Sequence, residues 1–249
     1  MHYYEISDEQ WCRIEHLLPG KASDCGQTAH DNRGFINAII WMARTGAPWR
    51  ALPERFGKWY SVHKRFNRWS KKGVWGRVFE ALQDPDLEWM MLDSTSVRAH
   101  QHAADKKSNC KTEALGRSRG GFTTKVHAAV DALGNPLKFT LTQGQRSDIT
   151  QAKMLLEGYE PQAFIGDKGY DSQPFLDELK ERDIEIVVPP RKNRKEQRDY
   201  DRNLYKDRNK VERFFNRIKH YRRIATRYDK TARNYLAFVH VAAIVTLLL

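Results

Sequence analysis

Apolar positions in the first 85 residues recur with the period of an α-helix. A helix is predicted from Asp8 to about Leu18, because Ser7 and Gln10 have the spacing of a capping box. A second helix is predicted from Arg33 and is stopped by Gly46 and Pro48, and a third runs from a cap at Ser61 to Gly73. The sequence therefore predicts an N-terminal all-helical region.

The third of these helices is amphipathic, with a basic outer face. Its outward positions include Lys64, Arg65 and Arg68, whereas Val62 and Phe66 face inward. A helix, a turn and a basic helix resemble the helix-turn-helix arrangement, in which the second helix contacts DNA bases. DNA binding by this helix is one interpretation, and a basic surface that serves solubility alone is the other.

After Pro85 the hydrophobic period changes to that of an α/β sheet. Segment 88–93 is apolar on both faces, as in a central strand, and ends at Asp93. Strands 123–131 and 136–141 flank a turn, helix 149–156 follows, and strand 163–166 leads to Asp167. A helix to Arg182 and a strand over 184–188 complete the order β-β-β-α-β-α-β-α. This order predicts an α/β fold with a mixed sheet flanked by helices.

The chain is therefore divided into residues 1–85, a helical DNA-binding domain, and residues 86–249, a catalytic α/β domain. The second domain contains a basic tract at 191–202 and ends in a C-terminal helix at 234–249. The apolar run 236–249 is too short to span a bilayer, so we expect it to be buried in a core.

Charge is concentrated near the C-terminus. The formal net charge is +12, and segment 191–233 alone holds 17 lysines and arginines against 6 acidic residues. Aromatic residues are interleaved with these cations, which favours a polyanionic partner over a membrane surface. The chain has three cysteines without metal-type spacing, and its first residues lead us to expect no signal peptide. A reducing cytoplasmic location is expected.

Three acids stand out as candidate catalytic residues. Asp93 and Asp167 follow strands that should be neighbours, at the edge where open α/β sheets bind ligands. Glu212 lies on a helix predicted over 205–223. At about 100° per residue it shares a narrow face with Tyr205, Arg208 and Lys219. Spacing alone leaves a plain surface salt bridge as an equal alternative for Glu212.

A family resemblance distinguishes between these alternatives. The order Tyr205-x2-Arg208-x3-Glu212-x6-Lys219 resembles the tyrosine, arginine, glutamate, lysine signature of DDE transposases from bacterial insertion sequences. Nearly the whole chain is similar to the insertion-sequence family five group. The segments that carry this similarity are Thr45-Gly46-Ala47-Pro48-Trp49-Arg50, Leu52-Pro53-Glu54, Leu92-Asp93-Ser94-Thr95, Gly120-Gly121-Phe122-Thr123-Thr124-Lys125 and Gly166-Asp167-Lys168-Gly169-Tyr170.

The resemblance implies a ribonuclease-H-like catalytic domain in which Asp93, Asp167 and Glu212 bind two Mg²⁺ or Mn²⁺ ions. Such ions prefer carboxylate oxygens and stabilise the attacking and leaving oxygens of a phosphodiester. It further implies that Tyr205, Arg208 and Lys219 hold DNA phosphates near the scissile bond.

The expected activity is that of a transposase that binds terminal inverted repeats, cuts the DNA ends and transfers their 3′-hydroxyls into target DNA. The enzyme is expected to act as a homodimer, because two ends must be paired. A stand-alone nuclease of the same fold, and a domesticated or inactive DNA-binding protein, are the alternatives.

Other polar residues have simpler predicted roles. Asp131 lies beside a turn, and Asp148 and Asp171 lie where helix caps are expected. His100 and His102, with Cys110 nearby, suggest a zinc site only weakly, because a second ligand pair is missing from the pattern. Lys125 and His127 alternate on one strand face, and we expect them to be close to the active site or purely structural.

Overall fold

The computed structural model describes residues 4–25, 28–103, 113–118, 121–195 and 197–249. Its residues group into two compact units. We call one the helical unit, which comprises Met1–Gln83, Ala99–Ser108 and Ile218–Leu249. We call the other the sheet unit, which comprises Asp84–Arg98 and Asn109–Arg217.

Helices precede and follow a central region in which strands and helices alternate. In chain order the elements are α1 Asp8–Ile14, α2 Asn32–Thr45, α3 Trp59–Lys71, α4 Val74–Ala81, β1 Trp89–Ala99, β2 Gly116–Ser118, β3 Gly121–Val130, β4 Pro136–Gln143, α5 Ile149–Leu156, β5 Ala163–Ile165, α6 Gln173–Glu181, β6 Glu185–Val187, α7 Asn209–Lys219, α8 Arg222–Ala225, β7 Thr226–Arg227 and α9 Ala232–Leu247.

Local sequence signals set most helix ends in the helical unit. Ser7 and Gln10 form the predicted capping box of α1, and Gly46 ends α2 in the left-handed conformation at φ 65°. Helix α3 begins at Trp59, two residues before the predicted start, and Ser61 is not its cap. Helix α4 was not predicted, because it is a short segment that follows α3 after only two residues, Lys72 and Gly73.

Aromatic packing forms the core of the helical unit. Phe66 of α3 stacks on Phe238 of α9 at 4.4 Å between ring centroids, and Phe35 meets Trp69 edge-on at 4.9 Å. Helix α9 packs against α2, α3 and α4. The C-terminal helix is therefore buried, as expected. It groups by packing with the N-terminal helices, whereas the sequence-based division followed chain order.

The sheet unit contains a mixed sheet whose strands follow the order β2-β3-β1-β5-β6, with β4 also paired to β3. Strand β1 is antiparallel to β3 and parallel to β5, and β5 is parallel to β6. Buried side chains from the sheet, α5 and α6 form one core, including Met90, Leu92, Leu155, Phe164 and Leu179. The predicted α/β class is confirmed. Strand β1 continues six residues past its predicted end at Asp93, because antiparallel pairing with β3 extends it to Arg98, and the short strand β2 was not predicted.

The single helix predicted over 205–223 is wrong. Leu204–Arg208 forms a 3-10 turn, α7 covers Asn209–Lys219, and α8 is a separate turn. Asp201 caps the 3-10 turn by accepting from the backbone N–H groups of Asn203 and Leu204. The apolar stripe continues through these breaks, so hydrophobic periodicity alone does not reveal them.

Within the described residues, none of the helices combines the length and apolar character that crossing a bilayer requires.

Candidate active site

Two of the three predicted acids lie at the same edge of the sheet. The parallel pairing of β1 with β5 ends at Met91 opposite Ile165, and each acid follows two residues later. The Asp93 Oδ1 atom accepts a 2.7 Å hydrogen bond from the Ser94 N–H. Asp167 Oδ1 accepts a 2.7 Å bond from the Gly169 N–H. Backbone donors thus orient both carboxylates just beyond the parallel pairing of β1 with β5; Asp167 follows the end of β5, whereas Asp93 lies inside β1, which continues to Ala99.

The third acid, Glu212, lies in the first turn of α7 and has a partly exposed side chain. Arg208 joins it to the sheet acids: one guanidinium nitrogen donates to Glu212 Oε1, and Nη2 lies 3.4 Å from Asp93 Oδ2. Asp93 and Glu212 are therefore on either side of one cation, although 119 residues separate them along the chain.

Electrostatics also link the acids. Burial is the largest influence on Asp93 and raises its pKa above the ordinary value. The Ser94 N–H and the Arg208 guanidinium lower the pKa of Asp93, whereas the negative charges of Asp167 and Glu212 raise it. Asp93 thus lies within electrostatic range of both other acids.

The donor set suits hard divalent cations, because all three side chains offer carboxylate oxygens. In the described part of the chain, no group of three or more His, Cys, Asp and Glu side chains is arranged closely enough to hold a metal ion. Arg208 accounts for the spacing between Asp93 and Glu212, because its positive charge contacts both. The residues fit divalent ions in chemistry, and Asp93, Asp167 and Glu212 are the side chains that would hold them.

The predicted phosphate-binding residues do not share a single α-helical face. Tyr205 and Arg208 belong to the 3-10 turn, whereas Lys219 is the exposed last residue of α7. The Tyr205 ring is half-buried and packs edge-on against Tyr200 at 5.5 Å. Burial raises the pKa of Tyr205 and the positive charge of Arg208 lowers it, and the net effect is a rise.

The basic residues of α3 differ in their surroundings. Lys64 and Arg68 are exposed. Arg65 instead lies over the rings of Phe35 and Trp69, at 4.3 and 4.8 Å from their centroids. It also donates to the Asp31 carbonyl oxygen. Arg65 is thus held within the helical unit, whereas Lys64 and Arg68, like Lys71 at the end of α3, are accessible.

The simple explanations of the other acids are confirmed for Asp131 and for the position of Asp148 before α5, and the cap expected at Asp171 is wrong. Asp131 is buried and accepts from the turn N–H groups of Leu133 and Asn135, as expected. Asp148 stands at the start of α5 but accepts no capping bond there. Asp171 lies one residue before the Ser172 N-cap of α6, and its carboxylate pairs with Arg194 instead. The carboxylates of Asp148 and Asp171 thus bind the side chains of Lys125 and Arg194 and not the first backbone N–H groups of the helices.

The zinc interpretation gains no support from the described residues. The His102 N–H donates to His100 Nδ1 at 3.3 Å, so that ring nitrogen already accepts a hydrogen bond. Cys110 lies outside the described residues.

Sequence reasoning missed a polar cluster around Asp148, which contacts Ser94, Lys125 and His127. The alternation of Lys125 and His127 was visible in the sequence. Their shared partner was not, because Asp148 reaches them only through tertiary packing.

Two family models match the chain. The model described as "Transposase DDE domain" matches residues 86–247, and the model described as "Putative transposase of IS4/5 family" matches residues 6–79. Together they cover both the sheet and the helical regions of the sequence.

Individual relatives each match about half of the chain. "Uncharacterized protein y4sN" of Sinorhizobium fredii is 39% identical over 128 residues, which is 51% of this chain and 95% of the relative. "Putative transposase for insertion sequence element IS6501" of Brucella ovis is 39% identical over 125 residues, 49% of this chain and 95% of the relative. "Putative transposase for insertion sequence element IS402" of Burkholderia cepacia is 30% identical over 135 residues, 49% of this chain and 61% of the relative.

These matches agree with the sheet topology. The chain belongs to the DDE transposase family of bacterial insertion sequences, and it is an enzyme with a ribonuclease-H-like catalytic fold.

Proposed function

We propose that this enzyme binds the terminal inverted repeats of an insertion sequence, cleaves the DNA ends and joins the freed 3′-hydroxyls to target DNA. Asp93, Asp167 and Glu212 are the proposed catalytic residues. One observation carries this assignment: acids distant in sequence converge, so that Asp93 is influenced by the charges of both other acids and shares Arg208 with Glu212.

The same three acids are the proposed ligands of two Mg²⁺ or Mn²⁺ ions. When bound, such ions activate an oxygen nucleophile and stabilise the leaving oxygen of the phosphodiester. The chain contributes the backbone N–H groups of Ser94 and Gly169, which orient the Asp93 and Asp167 carboxylates. Arg208 contacts Asp93 and Glu212 and offsets part of their negative charge.

We propose that Arg208 also binds a DNA phosphate, which a guanidinium can contact with two hydrogen bonds. We propose that Tyr205 and Lys219 bind phosphates beside it, by a hydroxyl donor and a point charge respectively. In the helical unit, Lys64 and Arg68 of α3 are the proposed contacts to the inverted repeats, because their side chains are exposed. Arg65 is proposed to act indirectly, since it packs on Phe35 and Trp69.

The partner is double-stranded DNA, both as transposon ends and as target. We propose a homodimer in the DNA complex, because one active site per end allows two ends to be cut and joined together. Sedimentation of the protein alone and with an inverted-repeat duplex tests this: a complex with one protein copy per pair of ends would contradict it.

A strand-transfer assay tests the function. Duplexes ending in a precut inverted repeat are incubated with enzyme, Mg²⁺ and a supercoiled target plasmid. We expect joined products that require the 3′-hydroxyl and are absent with a 3′-dideoxy end. Cleavage without joining would indicate a stand-alone nuclease. End binding with neither reaction would indicate a DNA-binding protein without catalysis, and both results would contradict the proposal.

A further inference from the structure

A buried polar cluster lies directly behind Asp93. Side chains alternate between the two faces of a strand, so Asp93 and Ser94 face opposite sides of the sheet. Ser94 lies opposite His127 in the β1–β3 register, and Ser96 lies opposite Lys125. Ser94 and His127 therefore share the face on which α5 packs, away from Glu212.

Asp148 is the centre of this cluster. Its Oδ1 atom accepts hydrogen bonds from Ser94 Oγ at 2.8 Å and Lys125 Nζ at 2.9 Å. His127 Nδ1 lies 3.5 Å from the same oxygen, and His127 Nε2 lies 2.7 Å from Thr142 Oγ1. The Lys125 ammonium also donates to the Arg146 carbonyl oxygen at 2.8 Å. Each element around Asp148 is thus tied to it.

The cluster is costly to build. The His127 side chain is fully buried and that of Lys125 is 15% exposed. The same face continues into the apolar core at Leu92 and Ala129. Burying charges and polar groups beside such a core costs free energy unless every partner is well placed, and apolar residues would pack there at lower cost. Neither a helix cap nor a turn explains Asp148.

A short chain of bonds leads from Asp148 to the active site. Asp148 fixes the Ser94 side chain, and the Ser94 N–H fixes Asp93 Oδ1 at 2.7 Å. A second connection passes by Tyr170, whose buried hydroxyl has no hydrogen-bond partner among the described residues. That hydroxyl interacts electrostatically with Asp148, Asp93 and Asp167.

We propose that Asp148 is a positioning residue for transposition chemistry, which holds the Asp93 carboxylate in its reactive orientation through Ser94 and anchors Lys125 behind the active site. This inference rests on the proposed role of Asp93. It adds a fourth acid to the function of the site, one that acts on another residue and not on the DNA.

The test compares cleavage of an inverted-repeat duplex by Ser94→Ala, Asp148→Ala and the double variant. A small misplacement of a reacting group costs up to about 100-fold in rate, so we expect kcat to fall about 10-fold to 100-fold in each single variant with KM for DNA unchanged. Because Asp148 acts through Ser94, the double variant should be about as slow as Asp148→Ala alone. Ser94→Thr, which keeps the hydroxyl, should restore most of kcat.

Ser96→Ala is the matched control, since Ser96 is an exposed serine two residues away on the same strand face. It should cleave at the wild-type rate. Wild-type kcat in Ser94→Ala, additive losses in the double variant, or a rise in KM without a fall in kcat would each overturn the proposal. If Asp148→Ala does not fold, Ser94→Ala and Ser94→Thr still decide, because they leave the Asp148–Lys125 ion pair in place.

Asp93→Asn in the same assay separates two kinds of failure. If Asp93→Asn is inactive while Ser94→Ala cleaves normally, the positioning role is wrong and the proposed function stands. If Asp93→Asn cleaves normally, the proposed function itself is wrong.

Discussion

At the scale of single residues, Arg208 shows how this site balances its charge. Three carboxylates near one sheet edge repel each other, and burial of Asp93 strengthens the effect. The guanidinium contacts Asp93 and Glu212 and offsets part of this repulsion. A guanidinium that is held only by ion pairs can exchange them for another anion. This property suits a residue that is proposed to bind a DNA phosphate during the reaction.

Arg208→Gln should raise the pKa of Asp93 further. Burial already raises this pKa, and Arg208 is a positive charge that lowers it. We expect the Asp93 carboxyl, followed by carbon NMR without divalent ions, to titrate at higher pH in Arg208→Gln than in the wild type. Arg213→Gln, an exposed neighbour on α7, should leave the titration unchanged. An unshifted Asp93 in Arg208→Gln would contradict the contact.

His240 should make folding sensitive to acid. Burial in α9 lowers its pKa from 6.5 to about 4, so the unfolded chain binds a proton that the folded chain refuses. The contribution of His240 to the free energy of unfolding is therefore unaffected above pH 6.5. As the pH falls from 6.5 towards 4, the free energy of unfolding decreases by up to about 3 kcal/mol.

His240→Leu should flatten this dependence in thermal unfolding measured at several pH values. His127, whose pKa burial also lowers to about 4, accounts for a remaining slope. An unchanged slope in His240→Leu would show that His240 is not buried in its neutral form.

At the scale of elements, local signals predicted some boundaries and failed at others for a physical reason. The capping box of α1 and the glycine end of α2 are encoded within a few residues, and both were found. Asp148 and Asp171 also carry cap-like local signals, yet their carboxylates bind Lys125 and Arg194. In each case a cation that is distant in sequence competes with the local backbone N–H groups for the carboxylate. Sequence spacing does not show how close that cation lies to the carboxylate in the fold.

Asp171 anchors the segment that the sequence singled out as a basic tract. Its buried carboxylate accepts two bonds from Arg194 and one from the Arg191 N–H, and Arg198 lies 3.5 Å away. Burial raises the pKa of Asp171, but these bonds and charges lower it overall. Arg191 and Arg194 therefore hold this segment in place through Asp171, independently of any contact that they make with DNA.

Asp171→Asn should release this segment. Losing charge-assisted bonds costs about 1.5–3 kcal/mol, which raises the open population at least about tenfold. Trypsin should then cleave after Lys192 or Lys195 at least about tenfold faster than in the wild type. Asp177→Asn, an exposed acid of α6, serves as the control. Equal cleavage rates for Asp171→Asn and wild type would exclude the anchor.

At the scale of the whole molecule, charge and fold class were predictable and the compact units were not. The hydrophobic period predicted the helical region and the mixed sheet. Asp167 was found because it follows the end of β5, whereas Asp93 was found at a predicted strand end that lies inside β1 in the structure. Glu212 required the family signature, because a helical acid between cations has a simpler explanation. The grouping of α9 with α2, α3 and α4 depends on packing between segments at least 151 residues apart in sequence, for which local patterns hold no information.

The cations in segment 191–233 should give DNA binding a steep salt dependence. Lys219→Ala, which removes one exposed cation of α7, should weaken inverted-repeat binding and reduce the slope of log K against log salt by about 1. Lys180→Ala removes an exposed lysine of α6 outside this segment and should leave the slope unchanged. An unchanged slope in Lys219→Ala would show that Lys219 is a solvated surface charge that does not bind DNA phosphate.

The central claim is that Asp93, Asp167 and Glu212 form one catalytic site. The most direct measurement is cleavage of an inverted-repeat duplex in Mg²⁺ by Asp93→Asn, Asp167→Asn and Glu212→Gln, with DNA binding measured in parallel. Loss of several kcal/mol of transition-state stabilisation predicts a rate fall on the order of 10³-fold for each variant, with end binding retained. Asp84→Asn, an exposed acid of the same unit, should cleave normally. Wild-type cleavage by any one of the three variants would contradict the account and remove that acid from the site.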